Sequence, residues 1–93
     1  MELEQAGAVI EWRGPAPFFF LEFHGENADV INSMSPAVTY GWGVVPVRAI
    51  IGSSLFVTSL IPRHGAYLLP IKKAVRESEG ISVGSHVSAI ITI

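Results

Sequence analysis

The sequence predicts a mainly β (α+β) domain, a partly open barrel carrying two short helices, and three observations predict it. Five segments alternate side chains with a period of two. Gly, Pro and Ser clusters punctuate them at short intervals. Only two stretches show the three- to four-residue apolar spacing of a helix.

The first strand is read from Gly7 to Arg13, with Ala8, Ile10 and Trp12 on one side and Val9, Glu11 and Arg13 on the other. Gly14-Pro15-Ala16-Pro17 stops it, because proline lacks the ladder donor and extends the residue before it. Phe18 to His24 resumes as a strand with Phe19, Leu21 and Phe23 facing one way. Phe18, Phe20, Glu22 and His24 take the opposite face, which puts two aromatic rings on the nominally wet side.

Between Gly25 and Ser35 the spacing of Ala28, Ile31 and Met34 predicts a short helix with Asn27 as N-cap, ended by Ser35-Pro36. A third strand follows from about Trp42 to Ile51, with Val45, Val47, Ala49 and Ile51 sharing a face. Pro46 places that strand, or at least that end of it, at an edge or bulge. Gly52-Ser53-Ser54 suits a hairpin turn, and Leu55 to Ile61 returns as the fourth strand. Phe56, Thr58 and Leu60 take one of its faces. Leu55, Val57, Ser59 and Ile61 make the other almost as apolar, so both sides of this hairpin are expected to meet protein.

Pro62-Arg63-His64-Gly65 reads as a turn, and Ala66 to Leu69 as a short strand closed by Pro70. Ile71 to Glu79 is the clearer helix, with an apolar stripe of Ile71, Ala74 and Val75 and with Gly80 and Ile81 suited to a left-handed C-cap. Gly84 then turns the chain into a last strand, His86 to Ile93, with Val87, Ala89, Ile91 and Ile93 inward. The 93 residues form one unit without repeats or a linker, enough for a single core.

Composition narrows the function classes. Apolar residues make up 49% of the chain and charged ones 15%, against about 25% charged in an average soluble domain. So few charges leave apolar surface uncovered on a lone copy, and a homodimer is the expected state. A net charge of -2 gives no long-range attraction for phosphate backbones or anionic lipid, so neither nucleic acid nor membrane is the expected partner. The absence of cysteine closes disulfide, thiolate-nucleophile and thiolate-zinc chemistry together. Glu2 and Glu4 stand where an export signal would carry positive charge, and no apolar run reaches membrane-spanning length, so a cytoplasmic, bacterial-type protein is expected.

Four stretches carry a family resemblance: Glu11 to Phe18 (EWRGPAPF), Val38 to Gly43 (VTYGWG), Thr58-Ser59-Leu60 with Pro62, and Tyr67 to Lys72 (YLLPIK) with Val75-Arg76. In this order and spacing they resemble domain-of-unknown-function family 1905 over essentially the whole chain. The resemblance implies a partly open barrel of six to seven strands, of the double-split type, with the helix at Ile71 to Glu79 across one end. It implies no activity. The chain departs from the family pattern at Gly84-Ser85, where Gly-Asp is common, and at Leu55 and Val57, where polar residues are common. The same barrel class resembles small dimeric DNA-binding regulators, an analogy of fold only.

Candidate site residues follow. Two indoles, a phenol and a guanidinium at strand ends (Trp12, Arg13, Tyr40 and Trp42) would make an aromatic-walled pocket for a small molecule, with Gly41 and Gly43 allowing close approach. The same rings would serve equally as packing, with the glycines marking bulges. Arg63, His64, Lys72, Lys73 and Arg76 gather near one turn and the second helix as a local basic patch, or as an ordinary solvated helix face. Glu22 and His24 share a strand face at the spacing of two metal ligands or an acid and a base. A metal site needs three or four ligands, and no metal or other cofactor is expected. The serines at 53, 54 and 59 lack a nucleophile elbow. The leading reading is a non-enzymatic binding or interaction module. A DNA-binding regulator and a small enzyme using Glu22, His24 or His64 as general base are the alternatives.

Overall fold

Seven antiparallel strands lie in one curled sheet in the order β1-β7-β4-β5-β6-β3-β2. They are β1 (Glu2–Ala8), β2 (Ile10–Trp12), β3 (Phe18–Phe23), β4 (Val45–Ile51), β5 (Ser54–Arg63), β6 (Ala66–Pro70) and β7 (His86–Thr92). Two helices, α1 (Gly25–Val38) and α2 (Lys73–Glu79), complete the elements among the described residues. This computed structural model describes residues 1–12, 18–38 and 43–93, and for 35–38 the backbone alone.

The sheet curls because two segments change ladders along their length. The stretch read as one strand from Gly7 divides at Val9: β1 pairs with β7, whereas β2 pairs with β3. Val9 itself donates to the Ser85 carbonyl at 2.8 Å and accepts from the Gly84 amide at 2.8 Å, with its side chain buried. Likewise β5 pairs with β4 up to Leu60 and with β6 from Ile61 onward. The curl brings β1 against β3, where Gly7 leaves room for Leu21. The result is a half-barrel rather than a flat layer.

Inside it, alternation places Leu21 and Phe23 of β3, Val45, Val47, Ala49 and Ile51 of β4, Leu60 of β5 and Ile91 of β7 in one continuous core. No charged side chain is buried among the described residues. Hydrophobic burial and dispersion therefore supply the stabilisation, at about 25 cal/mol for each Å² of apolar surface removed from water.

Several local expectations are corrected. Asn27 is no N-cap: it sits inside α1, and its Nδ2 donates to the Glu4 carbonyl at 2.6 Å, fastening the helix to β1. Helix α1 continues past Ser35-Pro36 to Val38, since a proline this near the end forfeits one ladder bond while Ala28 and Ile31 are already held by burial. β4 is an interior strand, but its pairing with β7 spans only Arg48–Ile51. Pro46 therefore lies on the end of β4 that β7 does not reach, as proline's missing donor requires. Pro62 and Arg63 belong to β5, which leaves His64 and Gly65 as a two-residue turn with φ of 49° and 80°, the type I′ pattern.

Helix α2 begins at Lys73, with Lys72 as a cap residue that makes no side-chain cap bond, and Ala74 is exposed while Ile71 and Val75 are buried. Its end follows expectation: Gly80 is left-handed, and the Ile81 amide donates to the Arg76 carbonyl at 2.8 Å.

Candidate functional site

The outward face of β2, β3, β6 and β5 is built by the same alternation that builds the core. Register sets Trp12 opposite Phe18, Ile10 opposite Phe20, Glu22 opposite Leu68, and Ile61 opposite the same Leu68. Trp12 stacks on Phe18 with ring centroids 6.2 Å apart, and Phe18 stacks on Phe20 at 6.3 Å, both at 26°. Each such pair contributes about 0.5 to 1.5 kcal/mol beyond area burial, which holds the rings in one row.

Beside this row lies a groove of about 350 Å³ lined by Trp12, Phe20, Ile61, Arg63 and Leu68. Phe20 and Leu68 point away from the core and are nevertheless buried, at 6% and 4% exposure, so they form its floor. Trp12, 52% exposed, and Ile61, 40% exposed, form its walls. An apolar floor between an indole and an isoleucine suits a planar apolar group, with one cation at the rim among the described residues.

That cation is Arg63, the last residue of β5, whose exposed side chain makes no hydrogen bond or ion pair to any described residue. It also lines two adjoining polar cavities. One, of about 590 Å³, includes Glu22, His24 and His64. The other, of about 370 Å³, includes Asp29, Asn32, His64 and Tyr67, whose hydroxyl donates to Asn32 Oδ1 at 3.3 Å.

Of the four residues expected to wall an aromatic pocket, Trp12 lines this groove; Arg13, Tyr40 and Trp42 lie outside the described residues. The expected basic patch is divided. Arg63 and His64 stand at the β5–β6 turn, whereas Lys72, Lys73 and Arg76 lie beyond the other end of β6, five residues or about 16 Å away. Lys72, Lys73 and Arg76 share a separate cavity of about 430 Å³ with Phe18, Phe19 and Thr58. Arg76 is already engaged, its guanidinium 4.0 Å above the Phe19 ring and its Nη1 donating to the Ile71 carbonyl at 2.8 Å. Lys73 Nζ lies 3.8 Å from Glu77 Oε1.

Glu22 and His24 face one cavity, as their spacing implied, and the turn brings His64 to it as well. His24 Nε2 is 3.4 Å from Gln5 Nε2, and the Gln5 side-chain oxygen accepts from the His24 amide at 3.4 Å. No three His, Asp or Glu side chains among the described residues stand close enough together to hold a metal ion. Phe20, Ile61 and Leu68 are site residues that the sequence did not single out. The outward rings of β3 hinted at them, but only the β3-β6-β5 strand order assembles them.

A second outward patch lies on the β4–β5 hairpin. Leu55 and Val57 are 67% and 63% exposed, with Ile50 opposite Leu55 and Arg48 opposite Val57.

Fold and surface together define a half-barrel domain with an apolar interior and an apolar, ring-lined outer face. More particularly, the chain belongs to the family described as domain of unknown function DUF1905, whose family model matches residues 6–91. No curated protein and no solved structure matches it. No helix among the described residues is long and apolar enough to cross a membrane.

Proposed function

We propose that this domain is a non-enzymatic binding module that holds a planar apolar small molecule in the groove beside Trp12. The observation that carries this reading is the buried pair Phe20 and Leu68 on the outward face, overhung by Trp12 and Ile61. A side chain on the outside of a sheet is ordinarily wetted; here two are sheltered and a cleft remains above them. The test is a titration of the protein with naphthol followed by amide chemical shifts. The expected result is saturable shifts at Ile10, Phe20 and Leu68 that Trp12→Ala abolishes. Unmoved resonances at the solubility limit of naphthol would remove the reading.

A homodimer joined through the β4–β5 face is the accompanying proposal. It is supported by the contiguous exposure of Ile50, Leu55 and Val57, which a second copy of the same apolar face would cover.

A further inference from the structure

We infer that the groove selects ligands bearing a carboxylate, with Arg63 as the group that recognises the acid; this rests on the binding reading above. Arg63 lines the apolar groove and the two polar cavities beside it. It therefore stands where an apolar surface gives way to a polar one. An apolar body seated over Phe20 and Leu68 directs any polar end of the same molecule toward this boundary.

The guanidinium there is uncommitted. It makes no hydrogen bond or ion pair among the described residues, in contrast to Arg76, which spends its donors and its ring face on Ile71 and Phe19. A planar fork of five N–H donors matches the two oxygens of a carboxylate, and the pairing strengthens where apolar walls keep water away. Ile61 and Arg63 occupy alternate positions of one strand, so a wall and a cation project from the same face about 6.5 Å apart. That separation lets one small molecule touch both.

Two other charges are near enough to compete. Glu22 and Asp29 each line one of the polar cavities, but neither lines the apolar groove. Among the described residues, a ligand in the groove thus meets a cation and no anion at its rim. The charge complementarity favours an acid end over an amine end.

The experiment is an NMR titration of the whole chain with three probes of one shape, naphthoate, naphthamide and naphthylmethylammonium, repeated on Arg63→Gln. Arg63 is exposed, so the variant is expected to fold, and its spectrum verifies that. Naphthoate is expected to bind about tenfold more tightly than naphthamide in the natural sequence, the usual worth of a charge-assisted pair. Arg63→Gln should bring the two within about twofold, chiefly by weakening naphthoate. Equal binding of acid and amide by the natural sequence would overturn the inference and leave the groove standing. So would an acid preference that survives Arg63→Gln, or tightest binding by the ammonium probe, which would point to Glu22. Failure of all three probes to bind would remove the groove reading together with the inference.

Discussion

Ser54 Oγ donates a 2.6 Å hydrogen bond to Glu79 Oε2, tying the turn between β4 and β5 to the last residue of α2. Ser53 Oγ approaches the same oxygen at 3.4 Å. A carboxylate at a helix C-terminus is opposed by the helix dipole, so Glu79 costs α2 a few tenths of a kcal/mol that the two hydroxyls offset. The contact also sets the space over Gly52, where a Cβ would fall on the Glu79 carboxylate.

Gly52→Ala is therefore expected to destabilise the domain by about 1 to 2 kcal/mol, from a left-handed backbone at φ 60° together with the displaced Glu79 contact. In a Glu79→Ala background the same change should cost only the backbone share, about 1 kcal/mol. Urea unfolding of the four proteins measures the coupling. Strict additivity would show that the carboxylate is not seated on the turn.

His64→Asn should stabilise the protein by about 0.5 kcal/mol, because His64 is the one non-glycine residue with positive φ among the described residues and Asn followed by Gly is the preferred pair in this turn. The midpoint of urea unfolding is expected to rise with the slope unchanged. A fall of about 1 kcal/mol or more would mean that the imidazole makes a stabilising contact in its cavities.

Arg76→Ala is expected to cost about 1 to 2 kcal/mol, by removing both the cation–ring contact with Phe19 and the bond to the Ile71 carbonyl. Arg76→Lys should recover part of that loss. Lys72→Ala, whose side chain is exposed and outside any helix, should change stability by less than about 0.5 kcal/mol. An Arg76→Ala protein as stable as the parent would show that neither contact contributes to folding.

Val57→Lys should convert the expected dimer to a monomer at high micromolar concentration, since a two-fold face would then hold two like charges in an apolar setting. Light scattering reads the mass directly. A natural sequence that is already monomeric under those conditions would leave Leu55 and Val57 as exposed surface alone.

Much of the fold was legible because alternation and burial coincide. Val45, Val47, Ala49 and Ile51 form an inward row as their period implied, and so do Ala89 and Ile91, with Val87 and Ile93 packed against the same core. Gly80 and Gly52 mark the helix end and the hairpin turn that their freedom at positive φ suits.

What was not legible is long-range. The alternation through Gly7 to Trp12 is continuous across Val9, and nothing local says that one half pairs with β7 and the other with β3. Asn27 looked like a cap because its partner, the Glu4 carbonyl, is distant in sequence. Ala74 satisfied the helical stripe, yet α2 buries Val75, with Ile71 buried just ahead of the helix, and leaves Ala74 exposed. The groove shows the same limit: Trp12 was legible as a large ring near a strand end, whereas Phe20, Ile61 and Leu68 come from three strands that only pairing brings together.

The central claim, that sheltered apolar residues outside the barrel receive a ligand, is tested most directly by intermolecular nuclear Overhauser effects from bound naphthol. Cross-peaks from its ring protons to the Leu68 methyls and the Phe20 ring are the predicted result. Cross-peaks confined to Leu55 and Val57, or to no residue at all under saturating probe, would contradict it.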